Sequence, residues 1–381
     1  MRASFTGHDH FSDHLNQVVI GRIDHHNTSL VQAKPLLHTV VHHCLYGRCH
    51  VAMCLILFSY QPSASMPLIL GANRDEFYAR PTLAANYWED CPGVLAGRDQ
   101  VAGGTWIGIT PSGRFAALTN IRESASNQLK YRSSNANIHN EELESSTGLL
   151  RSRGELTRAF LTGNQSCAHY LSSIIDDPRD YQKSYAGFNL LIGEFTRADQ
   201  SLFYLNNREE GFQKLSAGIY GLSNHRLDTP WPKIVSGKQA FKKTIKSLYQ
   251  SPRVPNDSST HRALRDVLEN PTLAADDALP ATGLSYESEK ALSASFIKMP
   301  LYGTRTSTVI TISRQTIEFS EKNYLPDNDE AGNNNNIPAR KRLFEETMDE
   351  VRADDPSLAL SVASEDKLIA SDCSNFTLTL C

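Results

Sequence analysis

The chain has 381 residues, of which 40% are hydrophobic, so it is long enough to bury one large core or two ordinary ones. Its 38 basic and 42 acidic residues give a net charge of −4, which excludes a broadly basic nucleic-acid-binding protein and a polybasic membrane-surface protein. The longest apolar run, at 51–58, is far shorter than the ~20 residues of a membrane-spanning helix. The seven cysteines include no C-x-x-C pair, so the sequence favours a reducing, cytoplasmic location over a disulfide framework.

The two ends of the chain differ from its middle in composition and in apolar periodicity. Residues 1–53 hold nine of the 13 histidines and show poor apolar periodicity, which predicts that 1–52 is a disordered extension or sequence upstream of the true start. Residues 321–381 hold 13 acidic and 6 basic residues, a net of −7, and predict an acidic tail of low order. The folded domain is therefore predicted over 53–320. Two polar stretches read as insertions in this domain, near 124–148 and 251–292.

The histidine-rich extension contains a cluster of possible metal ligands. The cluster comprises His42, His43, Cys44, Cys49 and His50. The spacing of its cysteines and last histidine, C-x4-C-H, departs from the C-x-x-C-H motif of haem attachment. The sequence favours the disordered extension, so neither a metal nor a cofactor is expected, and a metal site on this cluster is the alternative.

Short apolar runs bounded by turn residues predict strands from Met53 onward. Residues 55–58 and 67–71 form continuous apolar runs, as in strands that are buried on both faces. Three further pairs of runs are joined by short connections: 105–110 with 114–120, 187–193 with 201–205, and 307–313 with 316–320. Strands that follow one another through short turns pair antiparallel, so the pattern argues against a doubly wound parallel sheet.

Helical patterns fall between these groups of strands. Ser152 and Glu155 have the spacing of a capping box before one helix, and Ser166 can cap a second. Residues 232–250 carry apolar side chains at helical spacing, and 260–269 predict a shorter helix. The order of strands and helices predicts an α+β fold in which helices pack on stacked antiparallel sheets.

Polar clusters at the ends of the predicted strands are the candidates for chemistry. The sequence contains no P-loop, dinucleotide-binding, nucleophile-elbow or H-E-x-x-H motif. The clusters are Asn73-Arg-Asp-Glu76, Arg98-Asp99, Asn120 with Arg122, Ser223-Asn224 and Tyr302-Gly-Thr-Arg305. Each cluster alone is more often a set of ion pairs that holds a loop. Convergence of several clusters on one sheet system would indicate an active site.

The order of these motifs resembles the NRDE family, also called the transport and Golgi organization family. The resemblance spans Met53 to Ser320 and begins at Met53-Cys54, followed by an apolar strand. Its further motifs are Ala72-Asn-Arg-Asp-Glu76, Gly97-Arg-Asp99, Gly103-Gly-Thr-Trp-Ile-Gly108, Leu118-Thr-Asn120, Ser152-Arg-Gly154, Phe188-Asn-Leu-Leu191, Ser223-Asn224, Asp228-Thr-Pro-Trp-Pro-Lys233 and Tyr302-Gly-Thr-Arg305. Members of the family usually begin at the Met-Cys pair, so this chain departs by its upstream residues, two insertions and acidic tail.

The family in turn resembles the N-terminal nucleophile hydrolases, which implies a four-layer αββα sandwich of two antiparallel sheets. In that superfamily the side chain of the first residue attacks a carbonyl, and its own α-amine is the base. The resemblance implies that Cys54 is the nucleophile. It also implies that Arg74 and Asp75 correspond to an Arg and an Asp that follow the second strand in those hydrolases. Asn224 and Arg305 correspond to an Asn and an Arg that come later in the sequences of those hydrolases.

Four more residues are candidates for substrate binding, which are Asn73, Glu76, Asn120 and Trp106. Asn120 is a candidate oxyanion donor by its position, and Trp106 can line a pocket. The competing interpretation is that Cys54 is a small buried strand residue and that the charged residues form ion pairs that fix loops. If the site exists, side chains of Arg74, Asp75 and Arg305 are expected within about 8 Å of Cys54.

Two functions follow from the resemblance. The first is an amidohydrolase that uses Cys54 on a small amide or peptide-like substrate, in which case the α-amine of Cys54 must be free. The second is a non-enzymatic carrier of haem or of a lipid or acyl-CoA, which needs a pocket rather than a free amine. In both cases the partner is a small molecule, with no nucleic acid and no membrane span.

Overall fold

The computed structural model describes residues 53–123, 150–250, 258–324 and 373–380. The predicted extension at 1–52 and the predicted insertion at 124–148 lie outside the described residues. The domain boundaries predicted for these segments therefore stay predictions.

Thirteen strands in the described ranges form two antiparallel sheets. The first sheet has the order β10-β1-β2-β11-β12-β13 and contains the candidate nucleophile. Its strands are β1 (Cys54–Tyr60), β2 (Leu68–Phe77), β10 (Gly218–Leu222), β11 (Tyr302–Ile312), β12 (Thr316–Asn323) and β13 (Cys373–Thr379). The second sheet has the order β3-β4-β5-β6-β7-β8-β9. Its strands are β3 (Thr82–Trp88), β4 (Cys91–Asp99), β5 (Ile107–Ile109), β6 (Arg114–Asn120), β7 (Phe188–Phe195), β8 (Gln200–Asn206) and β9 (Phe212–Lys214).

Helices cover the outer face of each sheet. They are α1 (Gly154–Thr162), α2 (Cys167–Ile175), α3 (Tyr181–Ser184), α4 (Pro232–Gln250), α5 (Ser258–Leu268) and α6 (Tyr286–Ala291), with a 3₁₀ turn at Asp276–Ala278. The helix predicted behind Pro232 and the helix predicted over 260–269 correspond to α4 and α5. Over the described ranges, no helix combines the length and apolar character needed to cross a membrane.

Three apolar clusters fix the order of the layers. The first lies between the sheets and includes Phe58 from β1 and Phe115 from β6. The second packs Phe160 of α1 against the second sheet, together with residues of α2. The third packs Phe241 of α4 and Leu264 of α5 against the first sheet. The layers are therefore helices, sheet, sheet and helices, which confirms the predicted four-layer α+β fold.

The structure differs from the sequence prediction at several elements. Strands β3, β4, β9 and β10 have no predicted counterpart, because they are short or alternate with many exposed residues. The prediction of low order from residue 321 is wrong for β13, which pairs with β12 and places Leu378 in the core between the sheets. The capping box predicted at Ser152 is also absent, since α1 follows Arg153 with no side-chain cap.

Candidate active site

Cys54 is the first residue of β1 and lies at the end of the first sheet. It pairs with Arg74 of β2, so the two side chains share one face of the sheet. Its backbone N–H donates to Asn224 Oδ1 at 3.3 Å, and its carbonyl accepts the hydroxyl of Ser223 at 2.8 Å. Both backbone polar groups of the candidate nucleophile are therefore held by one loop.

That loop, Ser223-Asn224, joins the ends of the two sheets. Asn224 Nδ2 donates to the carbonyl of Asn120, at the end of β6, at 3.0 Å. Thr119 donates its hydroxyl to the carbonyl of Ser223 at 2.7 Å. The structure thus brings the predicted residues Cys54, Asn224 and Asn120 together, and the contact at Asn120 is through its backbone.

The pleat of β2 sends the four residues of the Asn73–Glu76 string to two different faces. Successive side chains of a strand point to opposite sides of the sheet. Asn73 donates to the carbonyls of Leu268 and Ser295, at 3.0 and 2.8 Å, and accepts from Ser307 at 2.6 Å. The first two bonds anchor α5 and a following loop to the sheet, and the third links β2 to its neighbour β11. Asn73, predicted to bind substrate, is engaged as a structural residue.

Asp75 lies on the same face as Asn73 and is 1% exposed. Its Oδ1 accepts the hydroxyl of Thr304 at 2.6 Å, while Oδ2 has no hydrogen-bond partner among the described residues. Burial raises the pKa of this carboxyl to about 6, although the positive charge of Lys233 opposes the shift. An incompletely bonded, buried carboxyl is a group that can exchange protons or receive a ligand donor.

Lys233 is the cation that faces Asp75 from the first turn of α4. A lysine is unfavourable at this end of a helix, where the helix dipole is positive, so its place there reflects the carboxylate opposite. Lys233 is 4% exposed and donates to the carbonyl of Leu292 at 3.3 Å. Burial lowers the pKa of its ammonium to about 8, and the charge of Asp75 limits the fall.

On the opposite face, Arg74 and Glu76 belong to a network of ion pairs that runs from the buried strand to the partly exposed Arg80 and Asp99. Arg74 contacts Glu76 at 3.4 Å, and Arg80 contacts Asp99 at 2.8 Å and Glu76 at 3.6 Å. Arg80 is 34% exposed and Asp99 is 20% exposed, so this network, unlike the Asp75 environment, reaches solvent. We call these residues, with Arg305, the outer network.

Arg305 occupies a β-bulge in β11. The register of β11 against β2 shifts between Thr304 and Thr306, which leaves Arg305 as the extra residue. Its guanidinium donates to the carbonyls of Phe77 and Arg80. The bulge therefore aims Arg305 at the loop after β2, and its predicted proximity to the Cys54 thiol stays a prediction.

Cys54 is a buried residue, with 6% of its surface exposed. Burial, together with the negative charge of Asp75, raises its pKa to about 12, while the positive charge of Arg74 acts in the opposite direction. With residue 53 attached, the thiol is therefore protonated at neutral pH.

Arg153 is a site residue that the sequence prediction did not include. Its guanidinium is partly buried and donates to the carbonyl of Gly187 at 3.2 Å; the loss of hydration lowers its pKa to about 10, with Cys54 the strongest opposing charge. Close backbone contact positions it, because a Cβ on Gly104 would lie 2.5 Å from the carbonyl carbon of Gly154. The Gly-Gly stretch before Trp106 thus lets α1 reach the site.

The two remaining candidates for substrate binding, Trp106 and Glu76, make structural contacts. Trp106 is partly buried and packs against the core between the sheets. Glu76 accepts from Arg74 and from the N–H of Phe77. Lys233 and Arg153 belong to motifs that carried the family resemblance, so those motifs contained the signal for both residues. Among the described residues, no group of three or more His, Cys, Asp and Glu side chains is arranged to bind a metal.

Comparison with known proteins gives both sequence and structural matches. The family model described as "Transport and Golgi organisation 2" matches residues 53–326. Transport and Golgi organization protein 2 homologs from Bos taurus and Homo sapiens are 34% and 33% identical, each over 72% of this chain and 94% of the relative. The Drosophila melanogaster protein is 26% identical over 71% of this chain and 92% of its own. A solved structure, the Caenorhabditis elegans ortholog of N-acylethanolamine-hydrolyzing acid amidase, aligns with a TM-score of 0.36 and 11% identity, over 68% of this chain and 92% of that one.

Proposed function

We propose that this chain, which belongs to the Transport and Golgi organisation 2 family, is a cysteine amidohydrolase acting on a small amide when Cys54 is the first residue. The observation that carries the proposal is the environment of Cys54. Its nitrogen donates to Asn224, and Asp75, Lys233 and Arg153 interact electrostatically with its thiol. Four polar groups around one strand terminus exceed what packing a cysteine requires.

The reaction begins once residue 53 is gone and Cys54 carries an α-amine. An α-amine titrates near ~8 and a thiol near ~8.5, so the amine can take the thiol proton near neutral pH. The thiolate attacks the substrate carbonyl, the C–N bond breaks, and the leaving amine takes the proton from the α-ammonium. Water then attacks the thioester, releases the acid and restores the thiol. Asn224 Oδ1, at 3.3 Å from the Cys54 nitrogen, accepts from the amine and orients its lone pair toward sulfur.

Stabilisation of the developing oxyanion falls to the donors beside the thiol. The backbone N–H of Asp75 is our candidate for this role, because it donates to the carbonyl of Met53, the residue that precedes the nucleophile, at 2.9 Å. Arg153 supplies a partly buried positive charge nearby. Asp75 and Lys233 form a buried pair that can adjust the charge around the α-amine.

The experiment compares a chain translated from Met53, from which methionine is removed, with the full chain on a panel of fluorogenic amides. Hydrolysis is expected from the shorter chain and not from the full chain, in which the Cys54 nitrogen is an amide and cannot act as a base. Cys54→Ala should abolish hydrolysis, and Cys54→Ser should leave a remnant. Equal activity in Cys54→Ala, or full activity with residues 1–53 attached, would overturn the proposal.

The second candidate function is that of a carrier for haem or for a lipid or acyl-CoA. The observation that favours it is the buried Cys54 thiol, whose raised pKa makes it unreactive while residue 53 is attached. Binding of haem or of a fluorescent acyl-CoA to the full chain, unchanged in Cys54→Ala, would support this function. We propose a cytoplasmic location in either case, and the free thiols of Cys54, Cys91 and Cys167 among the described residues are compatible with it.

A further inference from the structure

Strand β13 is the edge strand of the first sheet and lies outside the family domain. The family match ends at residue 326, and β13 begins at Cys373. All seven residues of β13 pair antiparallel with β12, from Thr379 opposite Thr316 to Cys373 opposite Lys322. Among the described elements, β12 is its main contact. Without β13, the family domain would therefore end this sheet in the unpaired edge of β12.

The side chains of β13 alternate between the core and solvent. Leu378 and Leu380 are 3% and 4% exposed and lie in the core between the sheets. Thr377 and Thr379 are exposed. This alternation has the period of two that is typical of a strand with one buried face. Strand β13 is therefore held by its main chain and by one row of apolar side chains.

This row of apolar side chains enters a groove between the edges of the two sheets. The ring of Phe376 contacts Phe319 of β12 and Tyr87 of β3, at ring-centroid distances of 6.2 and 6.3 Å. Leu380 reaches the turn between β5 and β6, where a Cβ on Gly113 would lie 3.3 Å from the Leu380 Cδ2 atom. The walls of the groove thus belong to the family domain, and β13 fills it.

One outward contact adds a polar preference to the groove. Thr377 lies opposite Glu318 of β12, and its hydroxyl donates to the Glu318 carboxylate at 2.6 Å. A carboxylate in place of Thr377 would be repelled, because like charges directly opposite each other destabilise a strand pair. The groove therefore suits a segment with a hydroxyl or basic side chain at this position.

We propose that this groove is a strand-binding site, which β13 occupies as an intramolecular ligand and which an extended segment of another polypeptide occupies in its place. In this mode of recognition, main-chain hydrogen bonds to a sheet edge supply affinity, and pockets for alternate side chains supply specificity. The matching segment carries an aromatic residue, with leucines two and four positions after it. The residue directly after the aromatic one has a hydroxyl or a positive charge.

The occupant that replaces β13 is a segment of a different protein and not the β13 of a second copy. Exchange of β13 between two copies forms the same contacts again, and it costs the freedom of two independent molecules. A different segment gains wherever it fits the groove better, and β13 resists it through its covalent attachment. Opening is favoured by the edge position, because β13 has one neighbouring strand, whereas β11 in the same sheet has two.

The probe is a fluorescein-labelled peptide of residues 373–381 that carries Cys373→Ser and Cys381→Ser. Its binding to the full chain is measured by fluorescence anisotropy. The same peptide with Phe376→Ser and Leu378→Ser is the control ligand, since it keeps the main chain and loses the side chains that enter the groove. The control peptide should bind at least about tenfold more weakly.

Two variants of the full chain test whether β13 and the peptide share one site. Leu378→Lys with Leu380→Lys removes β13 from the groove. Thr377→Lys with Thr379→Lys is the matched control, because it adds the same charges on the outward face and leaves the core contacts intact. The peptide should bind the first variant at least about tenfold more tightly than it binds the natural chain or the control, since β13 then no longer competes.

Hydrogen exchange of the natural chain tests the same site without a substitution. Amides of β13 should exchange on the order of tenfold faster than those of β11, and excess unlabelled peptide should accelerate β13 further while β12 stays protected. If the first variant unfolds, this measurement decides. A first variant with native circular dichroism that does not bind the peptide, or exchange of β13 only together with β11, would overturn the proposal. A dimer of the natural chain that exchanges β13 would also overturn it, because the occupant would then be a second copy.

Discussion

Asp75 and Glu76 are consecutive carboxylates of β2, and the two faces of the sheet treat them differently. Asp75 points toward the helix layer, is 1% exposed, and keeps one oxygen without a hydrogen-bond partner among the described residues. Glu76 points the other way and is bonded by Arg74, Arg80 and the N–H of Phe77. The carboxylate of Asp75 is therefore incompletely hydrogen-bonded in a buried environment, whereas the carboxylate of Glu76 is fully paired near solvent.

The same contrast separates the cations of the two regions. Lys233, beside Asp75, has its pKa lowered to about 8 because burial disfavours its charge. The outer network, in contrast, contains arginine pairs that hold the loop after β2. The difference fits our proposal that the inner pair, Asp75 and Lys233, serves chemistry at some cost in stability, whereas the outer network holds the loop after β2. Each prediction below tests one side of this comparison.

The largest effect is expected from Lys233→Met at neutral pH. The substitution keeps the length of the side chain and leaves the buried Asp75 carboxylate without its counter-charge. The free energy of unfolding should fall by about 4 kcal/mol in urea titrations. Lys242→Met, on the exposed face of the same helix, is the matched control and should change it by less than about 0.5 kcal/mol. Equal effects of the two substitutions would show that Lys233 is not electrostatically coupled to Asp75.

The second effect is a pH dependence that belongs to Asp75. Its pKa rises from 3.8 to about 6 on folding because burial disfavours the charged form. The folded state therefore binds this proton more tightly than the unfolded chain. The contribution of Asp75 to stability is present below about pH 4 and is lost as the pH rises to about 6, by on the order of 3 kcal/mol.

Asp75→Asn removes this titration. The difference in the free energy of unfolding between the natural chain and Asp75→Asn should therefore fall as the pH rises through that window. Urea titrations of both proteins at several pH values measure it. If this difference does not change with pH, or if it grows, then folding does not raise the pKa of Asp75.

The contrast between the two faces of β2 also shows which features of the fold and of the site the sequence predicts. Apolar runs and turns predicted β1, β2 and the paired strands, because a strand with one or two buried faces has a distinct local pattern. The family motifs located Cys54, Asp75 and Asn224, which the structure brings together. They did not separate Asn73 from Asp75, since what distinguishes these two residues is the partner that each meets across the sheet, far away in sequence.

Two other differences have the same origin. Strand β13 lies in a stretch whose composition is polar and acidic, and its pairing with β12 is a tertiary contact that local sequence does not encode. Lys233 reads as a surface lysine at the start of a helix. Its burial depends on Asp75, which is 158 positions earlier by residue number. Local sequence patterns therefore predicted most of the strands and helices. Which charged residues lie on each face of the sheet could be determined only from the folded structure.

The third prediction concerns Asn224, which links Cys54 to the second sheet. Asn224→Ala removes the acceptor of the Cys54 N–H and the donor to the Asn120 carbonyl, and both groups stay buried. The free energy of unfolding should fall by about 2 kcal/mol. Asn86→Ala is the matched control, because Asn86 is exposed and accepts from the N–H of Tyr87 at 2.8 Å. A loss at Asn224 no larger than at Asn86 would contradict its role as a link between the sheets.

The smallest effect is expected from Arg80→Ala in the outer network. Arg80 is 34% exposed, and its bond to Asp99 at 2.8 Å competes with water and salt. The free energy of unfolding should fall by less than about 1 kcal/mol, and 0.5 M salt should reduce the loss further, since the screening length there is only about 4 Å. The same salt should leave the effect of Lys233→Met almost unchanged, because that pair is buried away from mobile ions. A loss above about 2 kcal/mol that ignores salt would place Arg80 in the same physical class as Lys233. The two faces of β2 would then carry different charged residues, but the ion pairs on both faces would contribute similarly to stability.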